Sequence, residues 1–74
     1  MFLSLKITLP VERNGYTQKF TLRKKDVMSV AEYDENRCYV RIATHAVPKW
    51  WGDENLCVYL SHDEVNRMLR LRWR

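Results

Sequence analysis

The chain has 74 residues, of which 46% are hydrophobic and 30% charged, and carries a net charge of +4. That balance describes one small folded domain over residues 1–74, too apolar for a disordered chain. No run approaches the ~20 apolar residues of a membrane span, and the first residues alternate in character instead of forming the solid apolar stretch of a signal peptide.

A first strand is expected over about residues 2–9. There Met1, Leu3, Leu5, Ile7 and Leu9 alternate with Phe2, Ser4, Lys6 and Thr8, the period of a half-buried strand. Pro10 ends or edges it, because proline cannot donate to a ladder. Asn14-Gly15 is the signature of a two-residue type I′ hairpin, whose central residues both need positive φ. Folding there sets Arg13 opposite Tyr16, Leu9 opposite Phe20 and Ile7 opposite Leu22, with a return strand over about 16–23. After the charged turn of Lys24, Lys25 and Asp26, a third strand runs from Val27 to about Tyr33. Strict alternation puts its Val27, Ala31 and Tyr33 on one side and Met28 and Val30 on the other. Asp34, Glu35 and Asn36 form a polar turn. The fourth strand covers Cys38 to Thr44, with Val40 and Ile42 inward and Tyr39 and Arg41 outward. A long loop follows over about 45–54, carrying Pro48, Lys49, Trp50, Trp51 and Gly52. The fifth strand, Leu56 to Leu60, has Leu56, Val58 and Leu60 on one face and Cys57 and Tyr59 on the other.

The helix has a clear start. Ser61 and Glu64 fit a capping box, in which the serine hydroxyl accepts from a first-turn amide and the glutamate reaches back. Val65, Met68 and Leu69 make the apolar stripe, with Trp73 on its flank. Arg67, Arg70 and Arg74 fall opposite, while Arg72 points toward the apolar side, so that either the helix frays before it or its stem snorkels. The expected architecture is α+β: a curled antiparallel meander of four or five strands with one C-terminal helix packed on one face. The other face is polar along the first two strands, through Ser4, Lys6, Thr8, Thr17, Lys19, Thr21 and Arg23.

Little here reads as chemistry. Ser61-His62-Asp63 contains the letters of a triad, but sequence neighbours do not converge as nucleophile, base and orienter must. Cys38, His45, Cys57 and His62 are the soft metal ligands, and their wide spacing lacks the close pairs of a zinc site. The cysteines read as buried free thiols of a reducing, cytoplasmic setting. Asp34-Glu35 and Asp53-Glu54 read as solvated turn charges, and two glycines, Gly15 and Gly52, build no phosphate cradle. We expect no catalytic residue, no metal and no cofactor.

Two features point to binding. One is the basic set of Arg23, Lys24 and Lys25 around one turn, with Arg67, Arg70, Arg72 and Arg74 near the C-terminus; such clusters displace counterions from phosphate backbones. Solvated charge is the competing reading. The other is the tryptophan loop. Tryptophan is enriched in binding hot spots, and a loop this long within a compact domain is itself a functional sign. The competing reading is that at least one of the two indoles folds back to seal the small core.

Phe20-Thr21-Leu22, Asp26-Val27-Met28-Ser29-Val30 and Tyr39-Val40-Arg41-Ile42-Ala43-Thr44, followed by a strand and a helix ending near Met68-Leu69, resemble the first half of a LytTR-type DNA-binding domain. The resemblance covers residues 20–69. It implies a role in bacterial transcription regulation, with inter-strand loops reaching into DNA grooves. The family continues past its helix with a basic segment and further strands, and its corresponding hairpin is short where this chain carries two tryptophans. No contact residue is therefore carried over.

The sequence thus leads to a non-catalytic binding module, a regulator or inhibitor of the phage type, docking on a protein partner. Lys49, Trp50, Trp51, Arg67, Arg70 and Arg74 are its expected contacts. The alternative is direct DNA or RNA binding through Arg23, Lys24, Lys25, Arg67, Arg70, Arg72 and Arg74. A second copy is a further candidate partner, pairing through an apolar edge or through Met28 and Val30.

Overall fold

A computed structural model describes residues 5–70. The expectations placed on Met1, Phe2, Leu3, Ser4, Arg72, Trp73 and Arg74 lie outside these residues. The chain forms β1 (Lys6–Arg13), β2 (Tyr16–Arg23), β3 (Val27–Glu32), β4 (Cys38–Ile42), β5 (Asn55–Val58) and α1 (His62–Arg70), with short 3-10 turns at Lys24–Asp26 and Thr44–Ala46. The five strands make one antiparallel sheet in the order β2-β1-β5-β4-β3. A hairpin and a three-stranded meander are thus joined side by side through β1 and β5. β2 and β3 stand at opposite ends of this order, yet three residues connect them. So short a link requires the sheet to curl, and it does so without closing into a barrel.

The first hairpin has the expected register: Arg13 faces Tyr16, Leu9 faces Phe20 and Ile7 faces Leu22. Asn14 and Gly15 both have positive φ, 53° and 83°, as a type I′ turn demands. The strand does not stop at Pro10. It runs on to Arg13, with Pro10 opposite Lys19. Counting back from the turn, residues 13, 11, 9 and 7 exchange backbone bonds with β2, so the nitrogen of Pro10 faces away from that strand. Its carbonyl accepts from Tyr59 N at 2.8 Å on the β5 side.

One expectation fails in β3. The register shifts between Val27, opposite Ile42, and Ser29, opposite Arg41. This bulge inserts one residue and resets the alternation. Val27 and Val30 consequently both pack on the core, while Met28, Ala31 and Tyr33 are exposed. Met28 and Val30 therefore do not share an outer surface, and the pairing face proposed for a second copy on those two residues does not exist.

The concave side holds the core: Ile7, Leu9 and Val11 from β1, Leu22 from β2, Cys38, Val40 and Ile42 from β4, Leu56 and Val58 from β5, and Val65 from α1. The expected helix stripe is met by Val65, with Met68 and Leu69 packed against the same cluster. The capping box is complete, with Glu64 N donating to Ser61 Oγ at 3.2 Å and Ser61 N donating to Glu64 Oε1 at 3.1 Å. No helix among the described residues is long and apolar enough to cross a membrane.

Candidate functional site

The tryptophan loop folds back on the concave side of the hairpin. Pro48 O accepts from Trp51 N at 3.0 Å and from Gly52 N at 3.1 Å, and Gly52 closes this turn with φ 76°, a conformation that favours glycine. The base of the loop is tied by Glu54, whose backbone carbonyl accepts from Ile42 N at 2.9 Å and whose carboxylate accepts from Thr44 Oγ1 at 2.5 Å. Trp51 packs against the core, donates from Nε1 to Asn55 O at 2.8 Å, and lies beneath the Arg13 guanidinium, 5.6 Å from the ring centre. Arg13 also donates through Nη1 to the carbonyl of Trp50. Trp50 stands edge-on to Phe20 at 5.9 Å and to Trp51 at 6.2 Å. Trp51 is thus a core seal, whereas Trp50 keeps 39% of its surface exposed.

Beside Trp50 the hairpin tip opens a cleft of about 340 Å³, lined by Val11, Arg13, Tyr16, Gln18 and Trp50 among others. Tyr16 on its rim is 80% exposed. Arg13 and Tyr16 were absent from the contact residues expected from sequence. A signal for them existed. Their register puts both on the same face as Val11 and Leu9, where a cation and a phenol need a covering partner instead of open core.

A second cleft lies at the far end of the hairpin, lined by Lys6, Phe20, Thr21, Arg23, His45 and Asp26 among others. Asp26 is the one buried charged residue among those described. Its carboxylate accepts from Arg23 Nε at 3.2 Å and lies 3.0 Å from His45 Nε2. Burial alone would raise the pKa of this carboxyl, but the hydrogen bonds from His45 and Arg23 together outweigh it, and the pKa falls below the ordinary value. Lys6, Arg23 and His45 thus share this cleft, with Arg23 partly committed to Asp26, and Lys24 and Lys25 follow Arg23 in the adjoining turn. The antiparallel pairing of β3 with β4 brings Asp26 toward His45: beyond the Val27–Ile42 pair, Ala43 N donates to Asp26 O at 2.8 Å.

Arg67 and Arg70 lie on the exposed face of α1 beside Asp63 and Asn66. The helix rests on β3, at one end of the strand order, and the tryptophans rest on β1 and β2, at the other. The structure therefore divides the expected contacts into two regions. Lys49 is exposed at the loop tip.

The convex face carries a further group. Arg37 pairs with Asp34 at 2.7 Å and Glu12 at 3.3 Å and covers Tyr33, whose ring meets Tyr39 at 5.0 Å. These carboxylates raise the guanidinium's pKa further, while the hydrogen bond from Arg37 lowers that of Asp34. Cys57 is half-buried on this face and is not the buried thiol expected, whereas Cys38 points into the core. Burial pushes the Cys38 thiol up to about 11 and raises that of Cys57. No three His, Cys, Asp or Glu side chains among the described residues converge as a metal site. No protein family, curated protein or solved structure matches the chain.

Proposed function

We propose that this protein is a non-catalytic binding module that regulates or inhibits a protein partner in a reducing, cytoplasmic setting, in the manner of a small phage regulator. The observation that carries this reading is the cleft between Tyr16 and Trp50, backed by Arg13. Tyrosine, tryptophan and arginine are the residue types that dominate binding hot spots, and here Arg13 and Tyr16 of the hairpin stand together with Trp50 of the long loop, all accessible. Phe20 and Trp51 hold the Trp50 ring in place, which lowers the ordering cost of docking. The net charge of +4, with Arg67 and Arg70 on the exposed side of the helix, steers the module toward an acidic surface.

Affinity capture from the cells that carry the gene tests this reading. Tyr16→Ala and Trp50→Ala are expected to abolish capture of a protein that the wild type retains, with folding unchanged by circular dichroism. Trp51→Ala serves as the contrast, because removing a half-buried indole costs about 2–3 kcal/mol of stability. Capture that persists in both Tyr16→Ala and Trp50→Ala sinks the docking reading.

The cleft shared by Lys6, Arg23 and His45, with Lys24 and Lys25 in the turn that follows, favours a second reading, direct contact with DNA or RNA. Under it, binding to labelled duplex or single strand falls steeply with salt, and Arg67→Ala and Arg70→Ala flatten that slope. Salt-insensitive binding excludes it.

A further inference from the structure

The two edges of the sheet are not equivalent. The β3 edge is broken by the bulge between Val27 and Ser29, and α1 packs beside β3 on the core side. Such a bulge is a device that stops a strand edge from pairing further. The β2 edge has none. It is eight residues long with an unshifted register against β1, and among the described residues no other strand or loop pairs with it.

The ladder tells which groups face outward. Tyr16, Gln18, Phe20 and Leu22 exchange bonds with β1, so the N–H and C=O of Thr17, Lys19 and Thr21 point away from the sheet. The 2.7 Å contact between Thr8 Oγ1 and Thr21 Oγ1 agrees, because side chains approach closest at pairs lying between ladder bonds. Those three residues present a row of unpaired donors and acceptors.

We infer that β2 accepts an extended, acidic segment of the partner protein as a sixth strand. This inference rests on the docking reading and names the form and charge of what docks. The charge argument chooses the occupant. β2 has no acidic residue, Lys19 lies on its outer face, and Lys6 stands opposite Arg23, which shares its charge with Asp26. Two copies of this chain meeting edge to edge would bring the same cations together, which is unfavourable across strands. An acidic strand meets them with opposite sign. The pleat supplies the rest of the specificity. Alternate side chains of an added strand lie beside Lys19 and Arg23, and the intervening ones lie beside Tyr16 and Phe20, next to the exposed part of Trp50. The recognised segment therefore alternates carboxylates with apolar residues, and backbone hydrogen bonds supply affinity as in other strand additions.

The test uses the isotope-labelled full chain and a short synthetic peptide alternating glutamate with valine, its ends blocked. Amide exchange at Thr17, Lys19 and Thr21 is expected to slow about tenfold on peptide addition, with Gln18 and Phe20, already bonded to β1, unchanged. Methylating every second peptide nitrogen in the phase that faces β2 abolishes the slowing. So does replacing glutamate by lysine. Thr21→Pro removes an outward donor at an edge position where proline is tolerated and also abolishes it. Lys19→Glu, which leaves the ladder intact, weakens the acidic peptide about tenfold and admits the lysine peptide, so the inference stays testable should Thr21→Pro misfold. No slowing at millimolar peptide, slowing that survives methylation in both phases, or slowing that appears with protein concentration alone overturns it; the last identifies a second copy as the occupant. Cellular capture lost in Trp50→Ala but unchanged in Lys19→Glu and Thr21→Pro overturns strand addition while leaving the docking reading intact. Capture indifferent to Tyr16→Ala and Trp50→Ala instead marks failure of the docking reading itself.

Discussion

Asp26 shows how a single carboxylate holds the ends of the curl. It gathers Arg23 from the end of β2 and His45 from the start of the long loop, so it joins two segments that the strand order separates. Because its folded-state pKa lies below the ordinary 3.8, folding favours the ionised form. The stability this contributes is complete above the ordinary value and is lost as pH falls through the lower folded value. Asp26→Asn is therefore expected to be less stable than the wild type at neutral pH, with the gap narrowing below pH 3.8. Urea midpoints measured across that range check it, and a gap that stays constant to the acid limit refutes the linkage. This residue was the least legible part of the chain. An aspartate after two lysines reads as a solvated turn charge, and only three-dimensional closure buries it. Trp50 and Trp51 were half legible: composition marked both as anchors, but nothing local distinguished the ring that seals the core from the one left exposed.

At the level of the elements, legibility follows how local the determining forces are. The Asn14-Gly15 turn and the Ser61–Glu64 cap are set by residues within a few positions of one another, and both were readable. Both also have predictable costs. Gly15→Ala places a side chain at φ 83° and is expected to destabilise by about 1–2 kcal/mol. Ser61→Ala removes the hydroxyl that accepts from Glu64 N and is expected to cost about 1 kcal/mol. Denaturant midpoints with an unchanged slope are the check, and equal stability in either variant contradicts its assigned role. The continuation of β1 through Pro10 and the bulge in β3 were not readable. Each depends on which neighbour a strand acquires: Pro10 is tolerated because its nitrogen faces away from β2, and Val27 and Val30 both turn inward to satisfy β4. Strict alternation cannot anticipate an inserted residue.

Across the whole molecule, the curled antiparallel sheet and the placement of the helix were legible, while the order β2-β1-β5-β4-β3, which sets β1 beside β5, was not. Hydrophobic period reports which side of a strand is buried and says nothing about lateral neighbours. The candidate contacts suffered from the same gap. Residues grouped by type in the sequence, tryptophans with arginines, belong to opposite ends of the sheet, and the cleft that forms pairs Trp50 with Tyr16 instead. The adjoining β4 and β5 place Cys38 in the interior and Cys57 outside. These two sulfurs are built-in reporters with different gates. A pulse of alkylating reagent reaches Cys57 in the native protein, slowed only by its partial cover. Cys38 reacts when the sheet itself comes apart, so the ratio of the two modification rates measures how often this small protein opens, without adding a probe to it.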